Sequence, residues 1–272
     1  MLTLNSPAKV NLFLRIIKKR PDGYHELASL MQTISLCDTI KFSLSDRDHL
    51  TCTDLSLPTD GSNLILKAAD LFRRKTGCEF GLKAHLDKRI PHQAGLGGGS
   101  SNAATTLWAL NKLCKQNASD QQLAAWAGEI GSDISFFLSQ GTAYCTGRGE
   151  VLRPLHPIPA KELWVVKPFQ GLSTPEVYRN LDVAKLSARD PEILLKDIMN
   201  GQASYFNDLE EPAFRLMPSL AALKSSLTQA GFQAVMSGSG SAFFCFGKNA
   251  PQVPQAFTAK ARFLNRPSDS WF

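Results

Sequence analysis

The sequence predicts a two-domain α+β protein, and three observations carry that prediction. Segments that alternate apolar and polar residues occur in both halves of the chain. Segments with apolar residues at helical spacing are interspersed among them in both halves. A proline-rich stretch, LRPLHPIPAKE over 152–162, separates the halves. At 272 residues the chain is long enough for two cores, expected at residues 1–155 and 162–272.

From Ala8 the chain alternates, with Ala8, Val10, Leu12, Leu14 and Ile16 on one side and Lys9, Asn11, Phe13 and Arg15 on the other. This predicts a strand with one buried face and with Lys9 and Asn11 side by side on the opposite face. KKRPDGYHEL (18–27) holds a Pro-Asp-Gly turn, and Leu30 to Leu44 reads as further strand. LSLPTDGSN (55–63) is a loop in which Ser62 or Asn63 caps a helix carrying Leu64, Ala68, Leu71 and Phe72, with Gly77 as its stop. GLKAHLDKRIP (81–91) alternates again and runs into PHQAGLGGGSSNAATTL (91–107). Ala103, Ala104, Leu107, Leu110, Leu113 and Cys114 then mark an amphipathic helix, and Leu123, Ala127 and Ile130 a second one over 119–130. GSDISFFL (131–138) and the strand-like GTAYCTGRGEVLRPL complete the first half.

ELWVVKPF opens the second half as a buried strand. STPEVY (173–178) starts a helix, with Ser173 and Glu176 spaced for a capping box and Pro175 in the first turn. Leu220, Leu223 and Leu227 lie on a helix near 217–229 that Gly231 ends. FQAVM and FFCFG are strands flanking the turn SGSGSA, and a last helix is expected near 251–264.

Thirty Lys and Arg against 24 Asp and Glu give a net charge of +6 and a pI near 9.0. Such a balance suits anionic partners such as nucleotides, phosphates or RNA, and equally suits scattered surface lysines. The six cysteines, at 37, 52, 78, 114, 145 and 245, form no CxxC pair, and no histidine stands with them at metal-ligand spacing. That pattern points to a reducing compartment. At the N-terminus the charges follow the apolar stretch instead of preceding it, unlike a signal sequence. No run approaches the roughly 18 apolar residues of a membrane span. A cytoplasmic protein without a membrane partner is expected.

Four of the five residues from Gly95 to Gly99 are glycine. No lysine follows them as a Walker A loop requires, and Ser100 stands where a GxGxxG fingerprint needs its third glycine. Backbone amides without Cβ hindrance at a helix start still suit an anion, and Ser100 and Ser101 add hydroxyls that can donate or touch Mg²⁺. The alternative is a turn that serves close packing alone. Asp133 likewise reads either as a helix cap or as a catalytic base. Tyr24 and His25, after the Pro-Asp-Gly turn, read by themselves as a half-buried Tyr beside a surface His.

PHQAGLGGGSSNAAT resembles the phosphate-binding motif of the GHMP kinases, PAKVNLFL (7–14) their N-terminal motif and MSGSGSAFF (236–244) their C-terminal glycine motif. Three motifs in order span almost the whole chain. GYHEL, the triple glycine and GSDISFFL are similar to the branch acting on a cytidyl diphosphate ester of methylerythritol, not to mevalonate, homoserine or galactose kinases. The resemblance implies an N-terminal domain like domain 2 of ribosomal protein S5 and a C-terminal ferredoxin-like α/β sandwich. It implies ATP-dependent phosphorylation, with Mg²⁺, of the 2-hydroxyl of that small molecule, in isoprenoid precursor synthesis by the non-mevalonate route. The family usually has proline where Ser135 stands.

By the same resemblance, Lys9 and Asp133 are the catalytic pair. Pro91, His92, Gln93, Ala94, Gly95, Leu96, Gly97, Gly98, Gly99, Ser100 and Ser101 cradle the ATP phosphates. His25 reads the cytosine edge and Tyr24 stacks on its face, with Tyr178 as the opposing platform and Thr174 as a further substrate contact. Asn11 holds substrate or the catalytic pair, and Gly238, Ser239 and Gly240 face the diphosphate. Two rivals from other classes are an RNA-binding protein, for which KKR (18–20) and RRK (73–75) lack interleaved aromatics, and an inactive nucleotide sensor, which the presence of Lys9 and Asp133 argues against.

Overall fold

Two long strands organise the first half. In the computed structural model, which describes residues 1–272 apart from Ser187, Ala203, Asp269 and the side chain of Lys185, β1 (Leu2–Lys19) pairs antiparallel with β2 (His25–Ser45). The turn between them holds Gly23 at φ +84°. The prediction of one buried face for β1 is too modest, because both faces are buried. Ala8, Val10 and Leu12 pack against Leu163, Val165 and Phe244 of the second half, while a helix and the glycine loop cover Lys9 and Asn11.

β3 (His49–Cys52) leads through α1 (Leu64–Thr76) to β4 (Gly81–Asp87), which pairs parallel with β3 and antiparallel with β2. Of the two candidate caps Asn63 is the one used: its Oδ1 accepts from the Ile65 amide at 3.0 Å. Gly77 closes the helix at φ +71°, its N–H donating to the Arg73 carbonyl. α2 (Gly98–Leu113) and α3 (Asp120–Ala127) follow, the latter opened by a Ser119–Gln122 capping box. After the short α4 (Ile134–Phe137) comes a hairpin, β5 (Thr142–Thr146) and β6 (Val151–Pro154), in place of one continuous strand.

The second half starts with β7 (Glu162–Pro168) and continues through α5 (Thr174–Arg179) and α6 (Pro191–Met199). β8 (Phe206–Asn207), α7 (Glu210–Leu216), α8 (Pro218–Gln229), β9 (Gln233–Met236), β10 (Phe243–Phe246) and β11 (Ala256–Arg262) complete it. Among the described residues one sheet runs β3-β4-β2-β1-β8 with β5 and β6 branching from β2, and a second, antiparallel sheet runs β11-β7-β10-β9. The architecture is the expected α+β arrangement. No helix among the described residues is long and apolar enough to cross a membrane.

Two local expectations are corrected. The segment expected as a helix near 251–264 is the strand β11, paired from Ala256↔Pro168 to Arg262↔Glu162. Its alanines and lysine favour a helix locally, but the open edge of β7 offers a full row of backbone partners. At STPEVY, Ser173 sits at the N-cap but makes no side-chain cap bond, so no capping box forms there. The proline in the first turn remains, and it suits a helix start because its missing N–H needs no partner.

Asn63→Ala should cost about 1 kcal/mol of stability, the usual value of a side-chain cap, whereas Ser62→Ala should shift stability by less than about 0.5 kcal/mol. Urea unfolding of the two variants checks this assignment.

Candidate active site

A cleft of about 1050 Å³ is lined by the end of the loop before α2, by β1, by residues 132–133 and by residues from 174–183 and 238–239. The loop is built around one carboxylate. Asp38, fully buried on β2, accepts from the Arg89 and Ile90 amides at 2.8 Å each, from Lys88 Nζ at 2.8 and 3.0 Å, and from Asn102 Nδ2 at 3.0 Å. It thereby ties the loop's entry to the first turns of α2. Gly95 and Gly97 adopt φ of +70° and +69°. A Cβ on Gly95 would lie 1.9 Å from the Ser237 carbonyl oxygen, so only glycine fits there. Gly97 is the N-cap of α2 and offers no side chain, and Gly98, Gly99 and Ser100 line the cleft. The first amides of a helix have no partner within it, so this end of the cleft suits an anion.

Lys9 stands beneath the loop. Its amide donates to the Leu96 carbonyl at 2.9 Å, and its side chain is 3% exposed. Lys9 Nζ donates to Asn11 Oδ1 at 2.7 Å, as the shared strand face predicts, and lies 3.6 Å from Asp133 Oδ2. Asp133 occupies the N-cap position of α4, yet its carboxylate makes no cap bond and is directed at Lys9. Ser135 donates its hydroxyl to the Ala124 carbonyl at 2.8 Å and so ties α4 to α3.

The other end of the cleft is aromatic. His25 and Tyr178 are neighbours, with ring centroids 5.3 Å apart. Burial, then the positive charge of Lys19, hold the His25 pKa below its ordinary 6.5, so the ring is neutral at pH 7. Burial and the negative charge of Asp133 push the Tyr178 hydroxyl up. Tyr24 is 56% exposed with the Arg148 guanidinium 4.7 Å above its ring, while His25 is buried, the reverse of the bland pairing of a half-buried Tyr with a surface His. Thr174 Oγ1 and Ser239 Oγ are hydrogen-bonded at 2.7 Å, joining the two second-half segments at the cleft.

Pro91 to Ser100, Lys9, Asn11, Tyr24, His25, Asp133, Thr174, Tyr178, Gly238 and Ser239 all line this cleft. Ser101 and Gly240 do not. The Ser101 hydroxyl is buried and accepts from Ser6 Oγ at 2.8 Å, because one helical residue beyond Ser100 the side chain turns into the core. Gly240 packs toward Met236, and its amide donates to the Ser237 carbonyl at 3.0 Å. Lys88 and Arg148 line the cleft without having been singled out from the sequence, and Asn63, expected only as a helix cap, lines it too. Arg148 lies between Gly147 and Gly149 in the β5–β6 turn, and that Gly-Arg-Gly triplet was the available signal. The basic clusters are largely answered within the chain: Lys18 pairs with Glu26, Arg20 with Asp22, Arg73 with Asp48 and Asp70, and Lys75 with Glu129. Among the described residues no three His, Cys, Asp or Glu side chains gather as a metal site.

Comparison with known proteins agrees with this geometry. Residues 63–141 match the GHMP kinases N terminal domain and residues 182–263 the GHMP kinases C terminal domain. The chain is 52% identical over 273 residues to the 4-diphosphocytidyl-2-C-methyl-D-erythritol kinase of Protochlamydia amoebophila, covering 100% of this chain and 93% of that protein. It is 49% identical over 291 residues to the chloroplastic enzyme of the same name from Oryza sativa subsp. japonica, covering 100% of this chain and 73% of that one. A crystal structure of 4-(cytidine 5'-diphospho)-2C-methyl-D-erythritol kinase superposes with a TM-score of 0.83 at 34% identity over 97% of this chain and 100% of that one. Homoserine kinase from Cytophaga hutchinsonii, at 17% identity and a TM-score of 0.75 over 98% of this chain and 96% of that one, shares the fold. With a glycine loop, a buried lysine and an acidic partner around one cleft, and about half its residues shared with such an enzyme, the chain belongs to the GHMP kinases, in the family of the 4-diphosphocytidyl-2-C-methyl-D-erythritol kinases.

Proposed function

We propose that this enzyme transfers the γ-phosphoryl group of ATP to the 2-hydroxyl of 4-diphosphocytidyl-2-C-methyl-D-erythritol, in the methylerythritol phosphate route to isoprenoid precursors. The observation that carries the reading is the 3.6 Å pairing of Lys9 and Asp133 between an anion-binding loop and an aromatic end of the same cleft. The phosphates of ATP would rest on the amides of Gly98, Gly99 and Ser100. Cytosine would lie at His25, whose neutral ring both donates and accepts, with Tyr24 and Tyr178 offering faces for stacking. Gly238 and Ser239 would meet the diphosphate, and Arg148 and Lys19 bring positive charge to the cleft.

Positioning and charge stabilisation supply most of the acceleration in phosphoryl transfer. A carboxylate does not strip an alcohol in its ground state, but it accepts the proton as the new O–P bond forms and acidifies the oxygen. Asp133 takes that proton. Lys9 orients the hydroxyl and offsets the negative charge building on the phosphoryl group. Mg²⁺ neutralises phosphate charge when bound. The cleft offers it the Ser100 hydroxyl, a single protein oxygen that suits a cation held largely by phosphates and water.

The segment 155–161 carries the chain from one sheet to the other, and we place the domain boundary there, with β8 as the second half's contribution to the first sheet. All six cysteines are free thiols, which fits a reducing, cytoplasmic setting.

Asp133→Ala should lower kcat by about 10²–10⁴-fold while nucleotide still binds, followed by ADP release and nucleotide titration; unchanged turnover would sink the mechanism. His25→Ala should raise KM for the cytidyl substrate by about tenfold, the value of one hydrogen bond of ~1.4 kcal/mol, and leave KM for ATP alone. Because the His25 pKa is lowered, the midpoint of the rise in KM for the cytidyl substrate as pH falls should lie below pH 6.5. A midpoint above pH 6.5 would contradict a neutral base-reading imidazole.

A further inference from the structure

We infer that Ser29 is a positioning residue for the reaction: it dictates which end of the Asn11 amide faces Lys9, and so holds the ammonium beside Asp133 without letting the two close into direct contact. Ser29 lies on β2, is fully buried, and is absent from the cleft wall. Its hydroxyl donates to the Phe13 carbonyl at 2.6 Å. That carbonyl lies where the β1–β2 ladder slips register between Asn11 and Phe13, an irregularity of the kind that re-aims groups beside active sites.

A serine hydroxyl carries one proton. With that proton committed to Phe13, Ser29 Oγ meets its other neighbour as an acceptor only. The neighbour is the Asn11 side chain, 2.8 Å away, which must therefore present Nδ2. Once Nδ2 faces Ser29, Oδ1 faces the opposite way, and there it receives Lys9 Nζ at 2.7 Å. The reversed amide would set its N–H groups against the ammonium and its oxygen against the lone pairs of Ser29. All of these groups are buried, so water cannot compensate a wrong orientation.

The pull of Asn11 matters for what Asp133 can do. Lys9 Nζ stands at hydrogen-bond distance from Asn11 but 3.6 Å from Asp133 Oδ2. The carboxylate feels the charge yet is not sealed by it, and its oxygens remain open to a hydroxyl proton. With the Asn11 amide released, the ammonium moves onto Asp133 and occupies the lone pairs that should accept that proton. The backbone of Lys9 is held independently, its amide donating to the Leu96 carbonyl, so the loss falls on the side chain.

This inference rests on the reading of Lys9 and Asp133 as the catalytic pair. Ser29→Ala should lower kcat by about tenfold, as expected for one lost buried hydrogen-bond partner, with KM for both substrates within about twofold of wild type. Ser29→Thr, which keeps the hydroxyl, should recover most of the loss. The deciding measurement is a double-mutant cycle: in an Asn11→Ala background Ser29→Ala should cause no further fall in kcat. In the resting enzyme, the side-chain amide protons of Asn11, followed by NMR, should exchange with solvent faster in Ser29→Ala than in wild type. Additive losses in the cycle, or unchanged amide exchange, overturn the proposal. If Asp133→Ala abolishes turnover while Ser29→Ala leaves kcat intact, the inference alone falls; if Asp133→Ala retains turnover, the catalytic reading falls with it.

Discussion

A lysine side chain 3% exposed has given up nearly all its water and needs oxygen in its place. Everything around Lys9 follows from that need. Asn11 supplies one oxygen, Asp133 the compensating charge, and both are in reach because β1 is buried on both faces. The apolar face of the strand, seated on the second sheet, keeps its polar face turned under the glycine loop. The strand therefore acts as a shared wall. Its Ala8, Val10 and Leu12 pack on the second sheet, its Lys9 and Asn11 face the cleft, and neither set can shift without moving the other.

A second buried charge does the same for the loop. Asp38 is neutralised by Lys88 and accepts two backbone amides and the Asn102 side chain, while Asn102 also donates to Ser6 on β1. Strand β1, strand β2, the loop and α2 thus converge on one carboxylate. Glycine then does what no other residue can at Gly95, where the Ser237 carbonyl occupies the space of a side chain. The glycine loop is thus tied down at its base by a buried carboxylate.

Local signals made much of this legible. Alternation fixed the pairing of Lys9 with Asn11, and the caps at Asn63 and Gly77 were written in residues suited to those geometries. Asp133 is a different case: its position could equally be a cap, and resemblance rather than spacing marked it. What escaped the reading depends on distant partners. AFTAKAR becomes β11 because an edge of β7 some ninety residues earlier is open to it, and no local propensity records that edge. Arg148 was hidden inside a segment read as one strand, until its hairpin turn brought it against Tyr24. Ser29 gave no sign at all, since its role comes from a hydroxyl meeting a carbonyl and an amide across two strands.

The crossing of β8 has a consequence for how the protein is made. β8 runs parallel to β1 at Phe13 and Leu14, and Trp271 donates to the Asn5 carbonyl while its ring packs tilted against Trp108. Synthesis on the ribosome must therefore pass residue 207 before β1 has both of its neighbours, and Trp271 before the first core is closed. Until then the strand that carries Lys9 keeps an open edge, the kind of edge on which a partly made chain pairs wrongly.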